Sequence, residues 1–454
     1  MRDFAVIERR YLLVTHHPYY QDEGGAVWLE RLWHRDVLEH LSYLKDFTLC
    51  APCLAKAAEL DLVRLVPPPT ARLRVLALPV QQPRLKAILS LFGAAVTLWR
   101  AIGGAEIVHS QIIRWPPTSW LVSPVARLRR KRLVLVVENA SWQRGYATGA
   151  RWPVRAFQAA TEVLARWSCN HADLALFTQA AFREALFTSG RGVAYVTPAV
   201  WVNEDDVLDR VTAEQWWDRN TSKPVQLLFA GQLVISQGVD VLLAALRELE
   251  GRSIAANVDV IGAGPRREAW LRAAAEFDSV RLRVLDPVPY GSPFLKLIDG
   301  YHALLIPRLS EEQPRVLFDA NARAKPVIGS RTPGIRPHVE EGRTGWLVTP
   351  SDVKALASAI ERASTSAQEL RVMGLAALEA TRGFTHRRMH QTRSRILEEH
   401  CFKWFGSNQD PLRQPARAGT VQRAERLHGS GASVLPPDQR RPRSLRKRTL
   451  QRNH

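Results

Sequence analysis

The stretch that decides the fold is residues 304–348, LLIPRLSEEQPRVLFDANARAKPVIGSRTPGIRPHVEEGRTGWLV. It begins with an apolar run of strand length, continues through a polar loop and a helix-length segment, and returns to short apolar runs at residues 326–329 and 345–348. Short buried strands that alternate with helical segments are typical of a parallel sheet covered by helices. The sequence therefore predicts an α/β domain here.

The same alternation extends through most of the chain. Strands are predicted in the second half at residues 226–230, 257–262, 280–285 and 303–307, in addition to the two runs above. In the first half they are predicted at residues 11–14, 75–78, 106–109, 133–137, 173–178 and 193–197, with a helix at 27–44. Because 454 residues exceed what one hydrophobic core usually serves, we expect two Rossmann-like domains of α/β class.

Domain boundaries follow from the composition. We predict a first domain at residues 1–205, a connector at 206–224, a second domain at 225–383 and a helix at 384–405 that is available to cross back to the first domain. Residues 406–454 are rich in Arg, Gln, Pro and Gly and predict a disordered basic tail.

Composition and charge limit the class of protein. Hydrophobic residues make up 46% and charged residues 24%, as in soluble globular proteins. The net charge is +19, but the last 44 residues carry 11 basic and 2 acidic side chains, so much of the charge belongs to the tail. No recognisable nucleic-acid module accompanies this charge, which argues against nucleic acid as a partner.

Location is predicted from the N-terminus and the cysteines. Charges interrupt residues 1–14, where a signal peptide needs an apolar core, and the apolar run at 85–99 is too short to span a bilayer. Cys50 and Cys53 have CxxC spacing without a second pair, and Pro52 suggests a loop. We therefore expect a cytoplasmic protein with reduced cysteines and no metal site.

Glycine-containing loops after predicted strands are the first candidate binding elements, because ligands of parallel sheets bind at the carboxyl ends of strands. Gly24 and Gly25 follow the first strand and are expected to open a helix whose N-terminus favours phosphate; a simple turn is the alternative. Gly231 follows the strand at 226–230, and Gly262 and Gly264 follow the strand at 257–262.

A pair of acids is the most specific feature. Glu311 and Asp319 stand eight positions apart across the loop and helix that follow the strand at 303–307, so they could lie on similar azimuths of a helix. Glu312 could take the place of Glu311 if the register differs by one residue. A solvated helical face with a chance spacing is the alternative reading.

Residues 225–363 resemble the donor-binding core of retaining glycosyltransferase family 4, and residues 11–200 resemble the family more loosely. The resemblance implies a GT-B fold, with the two domains facing a central cleft, and transfer of a sugar from a nucleotide-diphosphate donor with retention and without a bound metal or other cofactor. It also implies that Glu311 faces the donor sugar and that Asp319 faces the nucleotide ribose. Val316 and Leu317, between them, belong to the same donor-binding segment.

The chain departs from the family at the donor diphosphate. The family has an arginine and a lysine associated with this group, and here both are glutamine, Gln232 and Gln237. Glutamine can donate a hydrogen bond but cannot neutralise charge. We expect Arg308 or Arg315 to supply the missing positive charge, and Gly231, Gly262 and Gly264 to border the donor.

Two residues of the first domain are candidates for catalysis at the cleft. His109 ends a predicted strand in the place of a histidine that is frequent in the family, although a structural role is the alternative. Glu138 ends the strand at 133–137, where many relatives place a histidine near the donor.

Acceptor and partners are less defined. The acceptor is expected to be a saccharide or a lipid-linked saccharide, and the protein could lie peripherally at the cytoplasmic face of the membrane. Cations at 127 and 129–132, near Trp115 and Trp120, suit either an anionic membrane surface or solvent. Three alternatives remain: a catalytically degenerate GT-B protein with a binding or regulatory role, a nucleic-acid-binding protein, and a sugar epimerase on the same architecture.

Overall fold

The computed structural model describes residues 4–55, 61–79, 91–113, 119–143 and 152–406. The predicted tail therefore lies outside the described residues, except for Gly406. Among the described residues, no helix is both long and apolar enough to cross a bilayer.

The first domain is built on a mainly parallel sheet. Its strands are β1 (Ile7–Val14), β2 (Tyr19–Gln21), β3 (Val27–Glu30), β4 (Leu44–Leu54), β5 (Leu62–Arg64), β6 (Arg72–Leu78), β7 (Ile107–Gln111), β8 (Arg132–Val137), β9 (Leu174–Phe177) and β10 (Val193–Val196). The parallel part has the order β6-β4-β1-β7-β8-β9-β10. At the end of β4, the short strands β2, β3 and β5 extend the sheet, and the pairs β2–β3 and β3–β5 are antiparallel.

Helices pack on this sheet through one apolar face each. They are α1 (Arg31–Tyr43), α2 (Leu91–Gly104), α3 (Ser119–Leu128), α4 (Trp152–His171) and α5 (Ala180–Leu186). In α1 the buried positions recur three or four residues apart, as Trp33, Val37, His40 and Leu41 do. The inward residues of the central strands, such as Leu133 and Leu135 of β8, are fully buried, so strand burial on both sides explains the continuous apolar runs.

The second domain has a fully parallel sheet. Its strands are β11 (Leu227–Ala230), β12 (Ala256–Ile261), β13 (Val280–Leu285), β14 (Ala303–Ile306), β15 (Val327–Ser330) and β16 (Gly345–Val348), in the order β13-β12-β11-β14-β15-β16. Its helices are α6 (Arg210–Asn220), α7 (Val239–Gly251), α8 (Arg267–Glu276), α9 (Ser292–Ile298), α10 (Val316–Ala322), α11 (Val353–Thr365) and α12 (Ala367–Thr381). Every strand predicted in this half is present to within one residue at each end.

Both sheets reverse their strand order at one place, and this positions the site. In the first sheet the order changes direction between β1 and β7, and in the second between β11 and β14. Loops leave such a switch point on opposite faces and open a crevice at the carboxyl ends of the strands. The loops after these four strands are therefore the ones on which a ligand site is expected.

The prediction for Gly24 and Gly25 is wrong in its local structure. Residues 22–26 form the turn of the β2–β3 hairpin, in which Gly25 has a φ of +80°. The Asp22 carboxylate accepts hydrogen bonds from the Ala26 amide, at 2.8 Å, and from the Trp28 indole, at 2.8 Å. The segment after the turn is rich in β-forming residues, so Val27–Glu30 is a strand and the helix begins only at Arg31.

Two further expectations need correction. Part of the predicted connector is helix α6, whose fully buried Trp217 donates a hydrogen bond to the Ala324 carbonyl oxygen at 3.1 Å. This helix belongs to the second domain, because Trp217 packs in the hydrophobic core of that domain, whereas the side chains of a linker would be exposed to solvent. Cys50 and Cys53 lie in strand β4 rather than in a loop, and both are free thiols.

The final helix, α13 (His386–Phe405), has the predicted bounds to within two residues. It contacts α1 of the first domain: the Asp36 carboxylate lies 3.2 Å from His386 Nε2 and 3.0 Å from His390 Nε2. The hydroxyl of Tyr43, also in α1, lies 3.3 Å from His390 Nδ1. The chain therefore returns to the first domain after completing the second.

Candidate functional site

A cavity of about 390 Å³ lies between the carboxyl ends of the two sheets. Its walls come from the loops after β1, β7, β8, β9 and β10 on one side and from those after β11 and β14 on the other. The lining residues with polar side chains are His16, His17, Gln111, Glu138, Asn139, Thr178, Gln237, Arg308, Glu312, Gln313 and Arg315, and Gly231 contributes backbone. This is the crevice that the two switch points predict.

Close backbone contacts fix the second-domain wall. The loop after β11 passes through a 3₁₀ turn (Ile235–Gln237) to Gly238, whose φ is +74°. A Cβ on Gly238 would meet the Pro307 carbonyl oxygen at 1.7 Å, and one on Gly264 would meet the Leu233 carbonyl oxygen at 2.6 Å. The loops after β11, β12 and β14 therefore pack backbone to backbone, which only glycine permits.

The predicted glycine and glutamine residues separate into two groups. Gly231 and Gln237 line the cavity. Gln232 is exposed, and Gly262 and Gly264 support the loop from behind, because the Gly231 amide donates to the Ile261 carbonyl oxygen at 3.0 Å and the Leu233 amide to that of Ala263 at 2.8 Å. The turn at residues 262–265 therefore supports the wall but does not line the cavity.

The acidic loop bridges the two walls. Glu311 Oε2 accepts a hydrogen bond from Gln143 Nε2 at 2.6 Å, and Glu312 Oε1 accepts one from the Ala140 amide at 3.0 Å. Gln313 Oε1 accepts one from the Ala199 amide at 3.1 Å. Three consecutive side chains of the second domain are therefore bonded to the first, and of the two glutamates it is Glu312 that lines the cavity.

The two predicted arginines both lie at the cavity, and each contacts a carboxylate. Arg308 forms an ion pair with Glu312, and its Nε donates to the Ser310 hydroxyl at 2.6 Å. Arg315 Nη2 lies 3.2 Å from Glu138 Oε2. Both cations are thus present on the wall that Gln237 leaves uncharged, each paired with a carboxylate.

Asp319 is buried behind this wall and not at the cavity. It lies in the first turn of helix α10. Val316 and Leu317 precede it in the same turn: Val316 lines the cavity, and Leu317 is buried in the core. The Tyr290 hydroxyl donates to Asp319 Oδ1 at 2.7 Å. Burial raises the pKa of Asp319 from 3.8 to about 7, so a carboxylic acid and a carboxylate coexist near neutral pH.

The first-domain wall contains histidines that the sequence analysis did not select. His16 and His17 follow β1 directly, and burial lowers the pKa of both, to about 4 for His17. They are therefore neutral imidazoles at pH 7. Their position in the sequence could have identified them as site residues, because they follow β1, a strand at the switch point.

His109 and Glu138 occupy different places. Glu138 lines the cavity, between Arg315 and Arg393, whose Nη2 lies 3.5 Å from Glu138 Oε1. His109 is buried within β7, where its Nδ1 lies 2.9 Å from the Tyr11 hydroxyl, and burial holds its pKa well below 6.5. It lines a smaller neighbouring cavity of about 120 Å³ rather than the one at Gly231.

Two other predicted features lie away from this site. Gly24 and Gly25 are in the hairpin turn described above. In the basic cluster, Arg132 Nη1 lies 2.8 Å from Asp173 Oδ1, and the Trp120 indole donates to the Ile113 carbonyl oxygen at 3.3 Å, while Trp115 lies outside the described residues.

One group of side chains has atoms that could ligate a metal ion. Among the described residues, this trio is Asp36, His386 and His390, whose nearest ligand atoms lie within 4.8 Å of one another. They are buried at the contact of α1 and α13, where hydrogen bonds from both imidazoles to the carboxylate account for their arrangement.

Comparison with known proteins shows what the second domain is similar to. Residues 224–366 match the family described as glycosyl transferases group 1. A putative colanic acid biosynthesis glycosyltransferase of Salmonella typhimurium is 28% identical over 144 residues, 30% of this chain and 35% of that protein. A D-inositol 3-phosphate glycosyltransferase of Nocardia farcinica is 28% identical over 259 residues, 53% of this chain and 51% of that protein. The chain thus matches about a third to a half of the length of these curated relatives.

Solved structures share the architecture of both domains. Sucrose-phosphate synthase from Thermosynechococcus elongatus has a TM-score of 0.65 and 16% identity over 87% of this chain and 100% of its own. The Anabaena protein HepE in complex with UDP and glucose has a TM-score of 0.58 and 14% identity, covering 86% of this chain and 99% of its own. The resemblance predicted from the sequence is confirmed: the chain has the GT-B fold, and residues 224–366 match the model of glycosyl transferases group 1.

Proposed function

We propose that this chain, with its GT-B fold and its group 1 glycosyltransferase domain, transfers a sugar from a nucleotide-diphosphate sugar to a saccharide or lipid-linked acceptor. The observation that carries the proposal is the cavity at the two switch points, where Gly231, Arg308 and Arg315 face Glu138 and His17. Such a cavity offers backbone approach and two guanidinium groups to a diphosphate, and neutral imidazoles and a carboxylate to sugar hydroxyls. Three solved structures of the similar Anabaena protein hold UDP, UDP with glucose, or UDP-glucose.

Arg308 and Arg315 are the proposed partners of the leaving diphosphate. Preorganised positive charge at the leaving oxygen lowers the barrier to transfer, and Gln237 cannot supply it. In the structure Glu312 and Glu138 neutralise the two arginines. We infer that donor binding exchanges these carboxylates for phosphate oxygens, with no divalent metal required.

Glu311 and the retained anomeric configuration belong to the same proposal. We propose that Glu311 faces the donor sugar; in the structure its carboxylate accepts a hydrogen bond from Gln143 of the first domain. We propose that transfer retains the configuration of the donor, and that the product is a surface polysaccharide or another glycoconjugate. An acceptor carried by a lipid would place the protein at the cytoplasmic face of the membrane.

The test is a panel of nucleotide sugars with candidate acceptors, in which released nucleoside diphosphate is measured for the wild type and for Glu311→Gln. Glu276→Gln, an exposed acid on α8, is the matched control. We expect transfer with one donor, a loss of about a hundredfold in kcat for Glu311→Gln and no change for the control. Product anomers assigned by NMR test retention, and an assay in EDTA tests independence from metal.

Two results would contradict this proposal. If no nucleotide sugar binds or turns over with the wild type, the enzymatic function is wrong. If Glu276→Gln lowers turnover as much as Glu311→Gln does, the effect is not specific to the cleft.

A second candidate function is nucleotide-sugar binding without transfer. The observation that favours it is the loss of both expected cations at Gln232 and Gln237, combined with arginines that already have acidic partners. This candidate predicts a donor that binds, with an affinity that falls in Arg308→Gln, and no product with any acceptor in the panel.

A further inference from the structure

The smaller cavity, of about 120 Å³, adjoins the proposed donor cavity on its first-domain side. The two share His17, Gln111, Glu138 and Arg315. The inner wall of the smaller one comes from the first turns of α1, from β7 and from α13, and its polar residues include Glu30, Trp33, Asp36, His40, His109 and Arg393. It therefore extends the cleft away from the second domain, to the side on which an acceptor would lie.

Two residues that line this cavity, Trp33 and Arg393, have buried hydrogen-bond donors without partners among the described residues. The Arg393 side chain is 6% exposed, and its Nε and Nη2 are buried with no hydrogen-bond partner among the described residues. The indole Nε1 of Trp33 is also buried and has no hydrogen-bond partner among the described residues. Glu138, at 3.5 Å from Arg393 Nη2, gives an ion pair that is too long for a hydrogen bond. A buried donor left without an acceptor is costly, so these three N–H groups point to a ligand.

The acceptor oxygens around the cavity are already engaged. Asp36 accepts from His386 and His390, and the Glu30 carboxylate accepts from the Trp33 amide at 3.3 Å, at the start of α1. Glu138 is shared by Arg315 and Arg393. Since the unsatisfied groups are donors and the carboxylates have partners, a ligand must bring acceptor oxygens rather than further donors.

We propose that this cavity binds an oxyanion, a carboxylate or a phosphate, carried by the acceptor of the proposed glycosyltransferase. Arg393 presents two of its donors in the planar fork that matches either group, and the buried setting strengthens such charge-assisted bonds. The volume accommodates one group of this size. The oxyanion competes with Glu138 for Arg393, and the rest of the acceptor then extends toward the donor cavity. The inference rests on the proposed function for its placement of the acceptor, but the anion site is measurable without turnover.

Calorimetric titration of the full chain with inorganic phosphate and, separately, with acetate tests this site. We expect at least one of the two anions to bind the wild type. The affinity should be weaker by about tenfold or more in Arg393→Gln and largely recovered in Arg393→Lys. Arg395→Gln is the matched control, because Arg395 is exposed two residues further along α13. Arg308→Gln removes a cation of the donor cavity and is expected to leave this affinity unchanged.

A second variant separates loss of the site from loss of the fold. Glu138→Gln removes the competing carboxylate, so we expect tighter anion binding, by about tenfold, which a misfolded protein cannot show. The proposal is overturned if neither anion binds the wild type, if Arg395→Gln weakens binding as Arg393→Gln does, or if only Arg308→Gln does. Anion binding that depends on Arg393 in a protein that turns over no nucleotide sugar would leave the site standing and refute the proposed function instead.

Discussion

The two walls of the cleft are built in different ways. On the second-domain wall, glycines allow backbones to touch: a Cβ on Gly334 would lie 2.3 Å from the Glu312 carbonyl oxygen, and one on Gly238 would lie 1.7 Å from that of Pro307. On the first-domain wall, large side chains from distant segments make the surface, among them Trp33, His109 and Arg393. One wall is shaped by main chain, and the other by buried titratable side chains.

This difference decides how each wall responds to change. A wall of packed backbone tolerates no added atom, whereas its electrostatics depend on the few side chains that it presents. A wall of buried ionisable groups depends on the partners of each group, because an unpaired charge in a low dielectric is costly. Substitutions of the two kinds therefore test the contrast directly.

Gly238→Ala should have the largest effect on stability. The substitution forces a Cβ against the Pro307 carbonyl oxygen at a φ of +74°, so both contact and conformation oppose it. We expect the free energy of unfolding to fall by roughly 4 kcal/mol, measured by urea denaturation. Gly251→Ala, at the other end of α7, is the control: nothing lies within 4 Å of its Cβ, and alanine favours helix there. Equal losses in the two variants would show that the backbone contact is unimportant.

Asp319→Asn should change the pH dependence of stability. Because burial raises the pKa of Asp319 to about 7, the folded protein binds this proton more tightly than the unfolded chain does. The contribution of Asp319 is therefore fully present below about pH 4 and is lost as the pH rises through 7. We expect the variant to gain on the order of 3 kcal/mol relative to the wild type between about pH 4 and pH 8.

Chemical denaturation across this pH range measures the effect. The control is Asp352→Asn, an exposed residue at the start of α11 whose side chain accepts from the Ala355 amide at 2.9 Å. A gain of the same size in this control would show that the effect is not specific to Asp319. If the Asp319→Asn and wild-type curves stay parallel, Asp319 is ionised in the folded protein, and the ribose contact implied by the family resemblance gains support.

The second-domain wall was largely predictable from the sequence for a physical reason. A Cβ at Gly262 or Gly264 would clash with the backbone of the loop after β11, so these two positions after β12 require glycine, whereas Gly231 has room for a side chain. The continuous apolar runs of a sheet buried on both faces also mark the strands clearly. The pair of arginines was predicted to lie at the site because charge must replace that lost at Gln237, and both line the cavity.

The first-domain wall was less predictable, because its residues come together only in the folded chain. Asp36 and His386 are 350 positions apart, and no local pattern links them. The sequence predicts a helix start at Gly24 and Gly25, because a glycine pair occurs both at hairpin turns and before helices. The strand after this turn is evident only from its pairing with β2. Arg393 lies on a helix whose burial depends on α1, so its sequence carried no signal of a site.

Asp36→Asn tests the first-domain wall and should have the smallest effect of the three. Burial raises the pKa of Asp36, but His40 and the hydrogen bonds from His386 and His390 outweigh it and hold that pKa well below 3.8. The stabilisation is therefore present above about pH 4 and is lost as the pH falls further. Asparagine keeps an acceptor oxygen but not the charge, so we expect a loss of about 2 kcal/mol at pH 7.

The loss should shrink as the pH falls below about 4, because the unfolded wild-type chain then binds a proton that the folded carboxylate does not. Denaturation at pH 7 and at pH 3 measures this change. Asp46→Asn is the control in the same domain: Asp46 Oδ1 pairs with Arg74 Nη2 at 2.5 Å, but the arginine is about half exposed, and such surface pairs contribute little. An equal loss in both variants at pH 7 would contradict the contrast between the walls, because burial of the ionised group at the α1–α13 contact would then carry no additional stability.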